Sequence, residues 1–582
     1  MAELNVTKRS VAALLREMQR RKFVIPDFQR PYKWDREKCE ILWQDLTGFF
    51  EERRPHENPD QEYYLGTIVT CQSEDGAKSR ELQVIDGQQR LTSFLLLLRA
   101  FYKKLEGMDQ NNANVMGLMN QIAPCIWDVD PISGRVTDLS LVHIESRVAT
   151  ATDNEALHEI LRTGTTKEEA DDLYSSNYRF FLEQCEAFAK DNPLTWQPLC
   201  VSILRNCIIL PIECERFDTA LTIFSTLNDR GMPLSDSDIF KAQLYRNRAT
   251  PEDKRKFTDD WKELTETVDD AGITLDELFR YYTHVLRARS GETSKEIGLR
   301  KFYAGIDNKF SKLKAPEVMD ELMNLAEFWQ AINTGDETVN GDSSINVECR
   351  KLLHCLSLYP NEYWKYVVSV YFFRPGDKAD FAKQFPALLR FLVAWMFSQF
   401  VLRPTVNAIK DACFQFGIDI LAGKQLIARE PLPPDFDRQL GNACTYKVAR
   451  GLILLHAYLQ AEQTDLLPPK FEIEHIFPRR WQNTNYQGWT YSDAQAALER
   501  FGNKVAIERK LNIQAGNGYF GKKKQHYGRS KIAAVKELSK YPANDWVRTN
   551  IDERESVFLR EISQFFQNNL LTSPAMAPSV TP

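Results

Sequence analysis

From about residue 250 to about residue 460 the chain is almost uniformly helix-like, and this stretch limits the folds open to it. Apolar and aromatic residues recur there at helical spacing, and turn residues cluster only at 334–344 and 430–436. Strand-like runs precede it, at 63–71 and 207–215. The order predicts an α+β, mostly helical protein with an α+β N-terminal domain, a helical middle and a small C-terminal module. A chain of 582 residues is too long for one hydrophobic core, so three or more domains are expected.

Local signals predict several elements of the N-terminal part. Apolar residues at helical spacing indicate an amphipathic helix over 7–20, and a second helix is expected from about Asp35. The segment "RELQVIDGQQR" reads as a strand that enters a glycine turn, followed by an apolar helix from about Leu91 to Tyr102. Ser235 is the predicted N-cap of a further helix, because a Ser side chain accepts hydrogen bonds from first-turn amides.

Composition narrows the class of protein. Lys and Arg number 74 against 80 Asp and Glu, so the net charge is −6 and a nucleic-acid partner would need a local basic surface. The eleven cysteines include no C-x-x-C pair, which favours reduced thiols over a zinc knuckle or a disulfide framework. No signal pattern opens the chain, and its most apolar stretch, taken as Phe94–Leu98, is far shorter than a membrane span. We therefore expect a cytoplasmic protein without a membrane segment.

The C-terminal segments "FEIEHIFP" (471–478) and "FGNKVAIERKLN" (501–512) contain groups suited to phosphodiester hydrolysis. Activation of water near neutral pH needs a base, and His475 has the side chain whose ordinary pKa suits that task. The departing oxygen needs charge stabilisation, which a divalent metal gives when hard oxygen ligands hold it. Glu474 and Asn512 offer such oxygens, and Asn503 is placed to pin the intervening loop so that the imidazole points correctly.

The order of these residues resembles the ββα-metal nucleases, also called HNH or His-Me finger nucleases. The resemblance implies that His475 is the general base, that Glu474 and Asn512 bind Mg²⁺ or Mn²⁺, and that Asn503 is an orienting residue. Glu474 departs from the pattern, because many HNH enzymes have Asp there. Its longer arm reaches the metal in one interpretation; in the other, Asn512 and water are the main ligands.

A basic stretch follows these residues. Between Gly502 and Lys540 there are ten Lys and Arg against two Glu, with aromatic residues interleaved. Such a surface binds phosphates by counterion release, although most charge runs are only solvated faces. Next to the nuclease-like segments we favour the first interpretation, and predict that four residues contact nucleic acid: Lys522, Lys523, Lys524 and Arg529.

The N-terminal segment "VIDGQQRLTS" (84–93) suggests a phosphate site at a strand-to-helix junction. Backbone amides at a helix N-terminus favour a phosphate, Arg90 could form a bidentate pair with it, and Asp86 could hold a metal or position water. Alone the signal is weak, because a glycine turn that caps a buried helix explains it equally well. No G-x-x-x-x-G-K-[ST] occurs, so this is not a P-loop.

Two further segments make the signal specific: "IPDFQRPYKW" (25–34) and "FSTLNDRGMPLSDSDIFKAQL" (224–244). Together the three resemble the ParB-like N-terminal domain of GmrSD-type restriction endonucleases, and the C-terminal motifs resemble the nuclease domain of the same family. The residues that carry this likeness are Gln29, Arg30, Asp86, Gly87, Gln88, Gln89, Arg90, Asn228, Asp229, Arg230 and Lys241.

The resemblance implies a type IV, modification-dependent restriction or phage-defence protein. Its N-terminal domain would bind and hydrolyse GTP, ATP or CTP, with Asp86, Gln88, Gln89 and Arg90 carrying that chemistry and Gln29 and Arg30 lining the same pocket. Its C-terminal domain would cut double-stranded, modified phage DNA; a homo-oligomer is left open. The expected boundaries are 1–245 for the nucleotide domain, 246–440 for the helical middle and 441–570 for the nuclease domain. The resemblance covers only the two ends, and the short, uncharged, Pro-containing tail at 571–582 is expected to be disordered because of its composition.

Two other functions remain open at this point. One is a sensor of DNA modification whose nuclease half is weak or needs a partner subunit. The other is a nucleotide hydrolase whose C-terminal module acts on RNA or another nucleic acid. Metal-dependent nicking by the purified chain separates the first of these from a nuclease.

Overall fold

The computed structural model describes residues 5–571 apart from gaps at 18–20, 27–28, 54–59, 73–80, 131, 133, 141, 149–150, 168, 216–218, 221–222, 224–234, 308, 336–337, 340–341, 344, 377, 429–430 and 484–488. The chain divides into two compact units, Met1–Thr258 and Asp259–Pro582. The second unit thus contains most of the predicted helical middle together with the C-terminal segment. Helices make up 62% of the structure, and the fold is α+β and mostly helical, as predicted.

The first unit combines one mixed sheet with helices. Its strands are β1 (Asn5–Val6), β2 (Arg9–Ser10), β3 (Lys22–Ile25), β4 (Tyr63–Gln72), β5 (Glu81–Asp86), β6 (Ile144–Ser146) and β7 (Cys207–Cys214). Its helices are α1 (Val11–Glu17), α2 (Arg36–Arg53), α3 (Gln88–Glu106), α4 (Ala113–Ile126), α5 (Ala151–Thr163), α6 (Leu173–Asp191), α7 (Trp196–Asn206) and α8 (Asp236–Arg246), and α9 (Pro251–Asp270) runs on into the second unit.

The sheet separates two apolar clusters. The strand order is β1-β7-β4-β5-β3-β6, with β2 also paired to β7. Successive side chains on a strand point to opposite faces, so Ile68 and Val84 join the large core formed with α1–α7, whereas Val69 and Ile85 lie in a smaller cluster with Ala242 of α8. Helix α8 therefore covers the face of β4 and β5 opposite the main core.

Gly87 joins β5 to α3 in a backbone conformation that favours glycine. Its φ is 92°, and a Cβ built there would lie 2.7 Å from the Ile68 side chain. Helix α3 starts one residue later, three residues before the predicted start at Leu91. Ser235 caps α8 as predicted, in a capping box with Asp238.

The second unit is helical except for two short pairs of strands. Its helices are α10 (Leu275–Arg289), α11 (Leu299–Ala304), α12 (Val318–Thr334), α13 (Val347–Ser357), α14 (Tyr363–Phe372), α15 (Lys378–Leu402), α16 (Lys410–Leu421), α17 (Phe436–Asn442), α18 (Ala449–Leu459), α19 (Tyr491–Leu498), α20 (Arg509–Ala515), α21 (Phe520–Tyr527), α22 (Ala533–Ser539) and α23 (Arg548–Leu571). Its strands are β8 (Thr338–Val339), β9 (Asp342–Ser343), β10 (Phe471–His475) and β11 (Lys504–Glu508), paired β8 with β9 and β10 with β11.

Helix α15 corrects the expectation that the most apolar stretch lies at Phe94–Leu98. Within the described residues, Phe381–Leu402 is long and apolar enough to cross a membrane, but 78% of its most apolar window is buried inside the protein. That burial is typical of a core helix, here packed against α13 and α23. All eleven cysteines are free and buried.

Strands β10 and β11 and helix α20 form a strand–strand–helix module. The two strands are antiparallel, with His475 opposite Lys504 and Glu474 opposite Val505. Helix α20 begins at Arg509, directly after β11, and packs against both strands. The predicted tail from 571 lies almost wholly outside the described residues. Residues 224–234 of the predicted 224–244 segment, which include Asn228, Asp229 and Arg230, also lie outside them.

Candidate functional site

His475 is the last residue of β10, and its imidazole is almost enclosed. The residue is 7% exposed, and no described residue accepts or donates a hydrogen bond at its buried Nε2 atom. Burial, with the nearby cations of Arg479 and Lys504, lowers the pKa of His475 to about 4. The imidazole is therefore neutral at neutral pH, the protonation state that a general base requires.

Asn503 holds the loop that follows His475. Its amide oxygen accepts a hydrogen bond of 2.6 Å from the Phe477 amide, and its amide nitrogen donates to the Phe477 carbonyl over 3.1 Å. The backbone carbonyl of Asn503 also accepts from the Ile476 amide at 2.9 Å. The structure thus brings Asn503 to the loop it was expected to pin; its effect on catalysis remains a prediction.

Helix α23 holds the turn that contains Asn503. The buried Arg554 guanidinium donates to the carbonyls of Phe501, Gly502 and Lys504 at 3.0, 3.1 and 2.8 Å. Burial lowers the pKa of Arg554 to about 10, which leaves the side chain charged at neutral pH. Gly502 is needed for this packing, because a Cβ there would overlap the carbonyl of Ile551. Sequence reasoning missed this support, since Arg554 lies 51 positions beyond Asn503.

The Glu474 side chain makes contacts that the sequence did not predict. The residue is 4% exposed, and its Oε1 atom accepts from the Lys523 ammonium and from the Tyr527 hydroxyl, each at 2.7 Å. Lys523, 1% exposed, also donates to the carbonyl of His475 at 2.6 Å. Burial lowers the pKa of Lys523 and the Glu474 charge opposes that shift. In this arrangement Lys523 is an internal partner of β10, which differs from its predicted place on a DNA-binding surface.

Lys523→Met is expected to loosen the end of β10. The change leaves the Glu474 carboxylate buried without its counter-ion, which typically costs about 3–5 kcal/mol. The double variant Glu474→Leu, Lys523→Met replaces both charges by apolar groups and should recover most of that loss. Hydrogen–deuterium exchange over 471–478 measures both effects, and unchanged protection in Lys523→Met would contradict the expectation.

Asn512 lies on α20 with a half-buried side chain that makes no hydrogen bond to any described residue. Its amide oxygen is thus available to a ligand. Across the described residues, no three His, Cys, Asp or Glu side chains cluster in a way that could hold a metal ion.

The other residues predicted to contact nucleic acid fall into two groups, those that are exposed and one that is bonded within the protein. Lys522 and Arg529 are exposed on and just after α21. The Lys524 ammonium is instead tied to the turn before α23, where it donates to the carbonyls of Tyr541 and Ala543. Lys522 and Arg529 are therefore the members of the predicted set whose side chains are open to a phosphate.

The N-terminal site brings together parts of all three predicted segments. Gln29 donates to the carbonyl of Ile85 at 3.1 Å, and Lys241 of α8 donates to the carbonyl of Gln29 at 3.3 Å. The Arg30 guanidinium lies 3.4 Å from the carboxylate of Asp238, also on α8. Because α8 covers the end of β5, residues about 150–210 positions apart in the chain surround one strand-to-helix junction.

The two glutamines at this junction have structural contacts. The Gln88 amide donates to the Arg30 carbonyl at 2.9 Å. Gln89 accepts from the amides of Lys33 and Trp34 at 2.7 and 3.1 Å and donates to the carbonyl of Pro31 at 3.0 Å. Both side chains thus fix the 30–34 segment against α3, a contribution that the sequence did not predict.

Asp86 and Arg90 form the charged part of the junction. Burial raises the pKa of Asp86, against the opposing charges of Arg90 and Arg30, and burial lowers the pKa of Arg90. One N–H of Arg90 donates to the carbonyl of Thr67 at 2.8 Å. Gly66 makes room for this guanidinium, since a Cβ there would lie 3.1 Å from it. The carboxylate of Asp86 thus lies partly enclosed, within the influence of two cations, Arg90 and Arg30.

Comparison with family models gives a match for each of the two regions that contain these sites. The model for the GmrSD restriction endonuclease N-terminal domain matches residues 11–245, and the model for the GmrSD C-terminal domain matches 434–561. A search of curated proteins gave no significant match. The matched regions contain both sites described above and place the chain among the restriction endonucleases. The chain belongs to the GmrSD restriction endonuclease family, and DNA is its partner.

Proposed function

We propose that the protein is a nucleotide-regulated, metal-dependent DNA endonuclease of the HNH type that acts on modified DNA in phage defence. The observation that carries the nuclease assignment is His475, a nearly enclosed imidazole at the end of a strand–strand–helix module, and burial lowers the pKa of this imidazole to about 4. In this proposal His475 takes a proton from the attacking water. Asn503 keeps the following loop in place through Phe477, and so fixes the direction of the imidazole.

The proposal includes a divalent ion, Mg²⁺ or Mn²⁺, which when bound would stabilise negative charge on the departing oxygen. The residues present fit such an ion only in part. Asn512 offers an amide oxygen that no described residue occupies. Glu474 does not fit, because the Lys523 ammonium already lies on its Oε1 atom, and a metal ion there would adjoin a second cation.

The proposed nucleotide site is the junction of β5 and α3. A triphosphate carries several negative charges, and the cationic side chains of Arg30, Arg90 and Lys241 come from three segments of the first unit. Arg90 gives one N–H to Thr67 and has the remainder of its planar fork for a phosphate. Asp86 would position the water for hydrolysis. Gly87 allows the chain to approach a phosphate closely, since it has no side chain.

The test is cleavage of modified and unmodified plasmid by the purified full-length chain. Reactions contain Mg²⁺, Mn²⁺ or EDTA, with GTP, ATP, CTP or no nucleotide. We expect cleavage of modified plasmid that requires a metal and responds to one nucleotide. Nucleotide hydrolysis without cleavage would favour a modification sensor, and cleavage of RNA in place of DNA would reject the assigned substrate.

Replacing Lys522 and Arg529 by Gln is expected to weaken DNA binding most at low salt. Each cation that contacts a phosphate contributes about 0.9 to the slope of log K against log salt, so the slope should become shallower by about 1–2. Titrations at several salt concentrations measure it. The control is Lys262→Gln with Lys309→Gln, two exposed lysines of the same unit outside the basic stretch. Equal slopes in both variants would show that Lys522 and Arg529 belong to a solvated face.

A further inference from the structure

The two carboxylates nearest to His475 lie on different sides of β10. Successive residues of a strand point to opposite faces, so Glu474 and His475 diverge. Their contacts agree: Glu474 meets Lys523 and Tyr527 of α21, whereas Lys504, directly opposite His475 in the antiparallel register, shares the face of the imidazole. The carboxylate on that face is Glu499, which follows α19.

Glu499 is held at the imidazole by a third group. Its Oε1 atom lies 4.0 Å from Nε2 of His475, and its Oε2 atom accepts from the Lys504 ammonium at 2.6 Å. Lys504 is buried and also donates to the carbonyl of Cys444 at 3.3 Å. One oxygen of Glu499 is therefore anchored and the other faces the imidazole.

The Nε2 atom of His475 needs a partner. It is buried and makes no hydrogen bond to any described residue, which is costly for a polar atom. The 4.0 Å separation from Glu499 is too long for a hydrogen bond, and a movement of about 1 Å would close it. Catalytic hydrogen bonds are often long in the free enzyme and tighten in the complex with substrate.

We propose that Glu499 is a positioning residue for His475, and that it selects the tautomer of the imidazole. Nε2–H donates to Glu499, so Nδ1 carries the lone pair that takes the proton from water. Water gives one proton to Nδ1, and the Glu499 charge stabilises the resulting imidazolium. The hydroxide oxygen forms a bond to phosphorus as the bond from phosphorus to the departing sugar oxygen breaks, and that oxygen then takes a proton from solvent. The partner that one ring nitrogen finds decides which nitrogen is protonated. This inference rests on the proposed function of His475 as the base.

Glu499→Ala is expected to lower kcat about 10- to 100-fold, the range seen when a carboxylate that orients an imidazole is removed. KM for DNA and the metal concentration for half-maximal rate should stay unchanged, because Glu499 acts through His475. Glu499→Gln keeps an acceptor oxygen without the charge and should fall between wild type and Glu499→Ala. Glu537→Ala, which removes an exposed glutamate of the same unit paired with Lys540, is the control for charge loss.

A double variant decides whether Glu499 works through His475. In His475→Ala, removal of Glu499 should cause no further loss, since the two residues form one unit. A further loss in the double variant, or a raised metal requirement in Glu499→Ala, would show that Glu499 acts on the substrate or metal directly and would overturn the proposal. Wild-type kcat in Glu499→Ala would also overturn it. Full activity in His475→Ala would instead reject the proposed base itself.

Discussion

His475→Ala should lower the rate of DNA cleavage about 10²–10⁴-fold, while hydrolysis at the proposed nucleotide site continues. A general base contributes about 10²–10⁴-fold to the rate of proton transfer reactions, and no other described histidine is at the end of the β10–β11 pair. The proposed hydrolysis site lies in the other compact unit, so hydrolysis is expected to survive. Plasmid nicking and phosphate release, measured on the same preparation, give both results.

The control is a histidine of the same unit with a structural environment. His456 is buried, lies against Phe558 and approaches the carboxylate of Glu561 at 3.3 Å. His456→Gln keeps a polar side chain of similar size there and should retain cleavage. A folded His475→Ala protein that nicks DNA at the wild-type rate would be incompatible with His475 as the base.

Arg90→Ala should remove nucleotide hydrolysis. The substitution takes away the planar fork proposed to bind a phosphate, and it leaves Asp86 without its nearest opposing charge. Asp86→Ala should have the same outcome through loss of the group proposed to position water. Phosphate release with the preferred triphosphate measures the effect, and we expect a fall to the background rate.

Because Arg90 also bonds the carbonyl of Thr67, its removal could loosen β4. Arg90→Lys keeps a cation that reaches this carbonyl, so this variant should fold normally. It should still hydrolyse nucleotide poorly, because Lys lacks the planar guanidinium fork of Arg. Arg36→Ala, an exposed arginine of the same unit paired with Glu183, is the matched control. Normal hydrolysis in both Arg90 variants would refute the site.

The same variants test regulation. If nucleotide binding gates the nuclease, Arg90→Ala should lose restriction of modified phage DNA although His475 is intact. A ligand shifts such an equilibrium only by its different affinity for the two states. Lost hydrolysis with unchanged, unregulated cleavage would leave the nucleotide site in place and reject the gate.

Much of the predicted fold followed from interactions between residues that lie close together in the chain. Ser235 was recognised as a helix cap because its contact reaches only three residues along the chain, and Gly87 because a strand-to-helix turn needs its conformation. The mostly helical α+β class followed from periodicity that each segment shows by itself. The apolar helix at Phe381–Leu402 was overlooked, although its pattern is present in the sequence.

The sequence alone determined the residue types of both sites and their order: an acidic residue, a histidine and two asparagines at one end, and a D-G-Q-Q-R turn at the other. The tertiary structure decided which of these groups are free. It assigned Lys523 to the interior beside Glu474, and Gln88 and Gln89 to the 30–34 segment. It also brought Glu499 to the His475 face. Such pairings depend on strand faces and helix packing, and sequence spacing does not specify them because each partner lies on a different element.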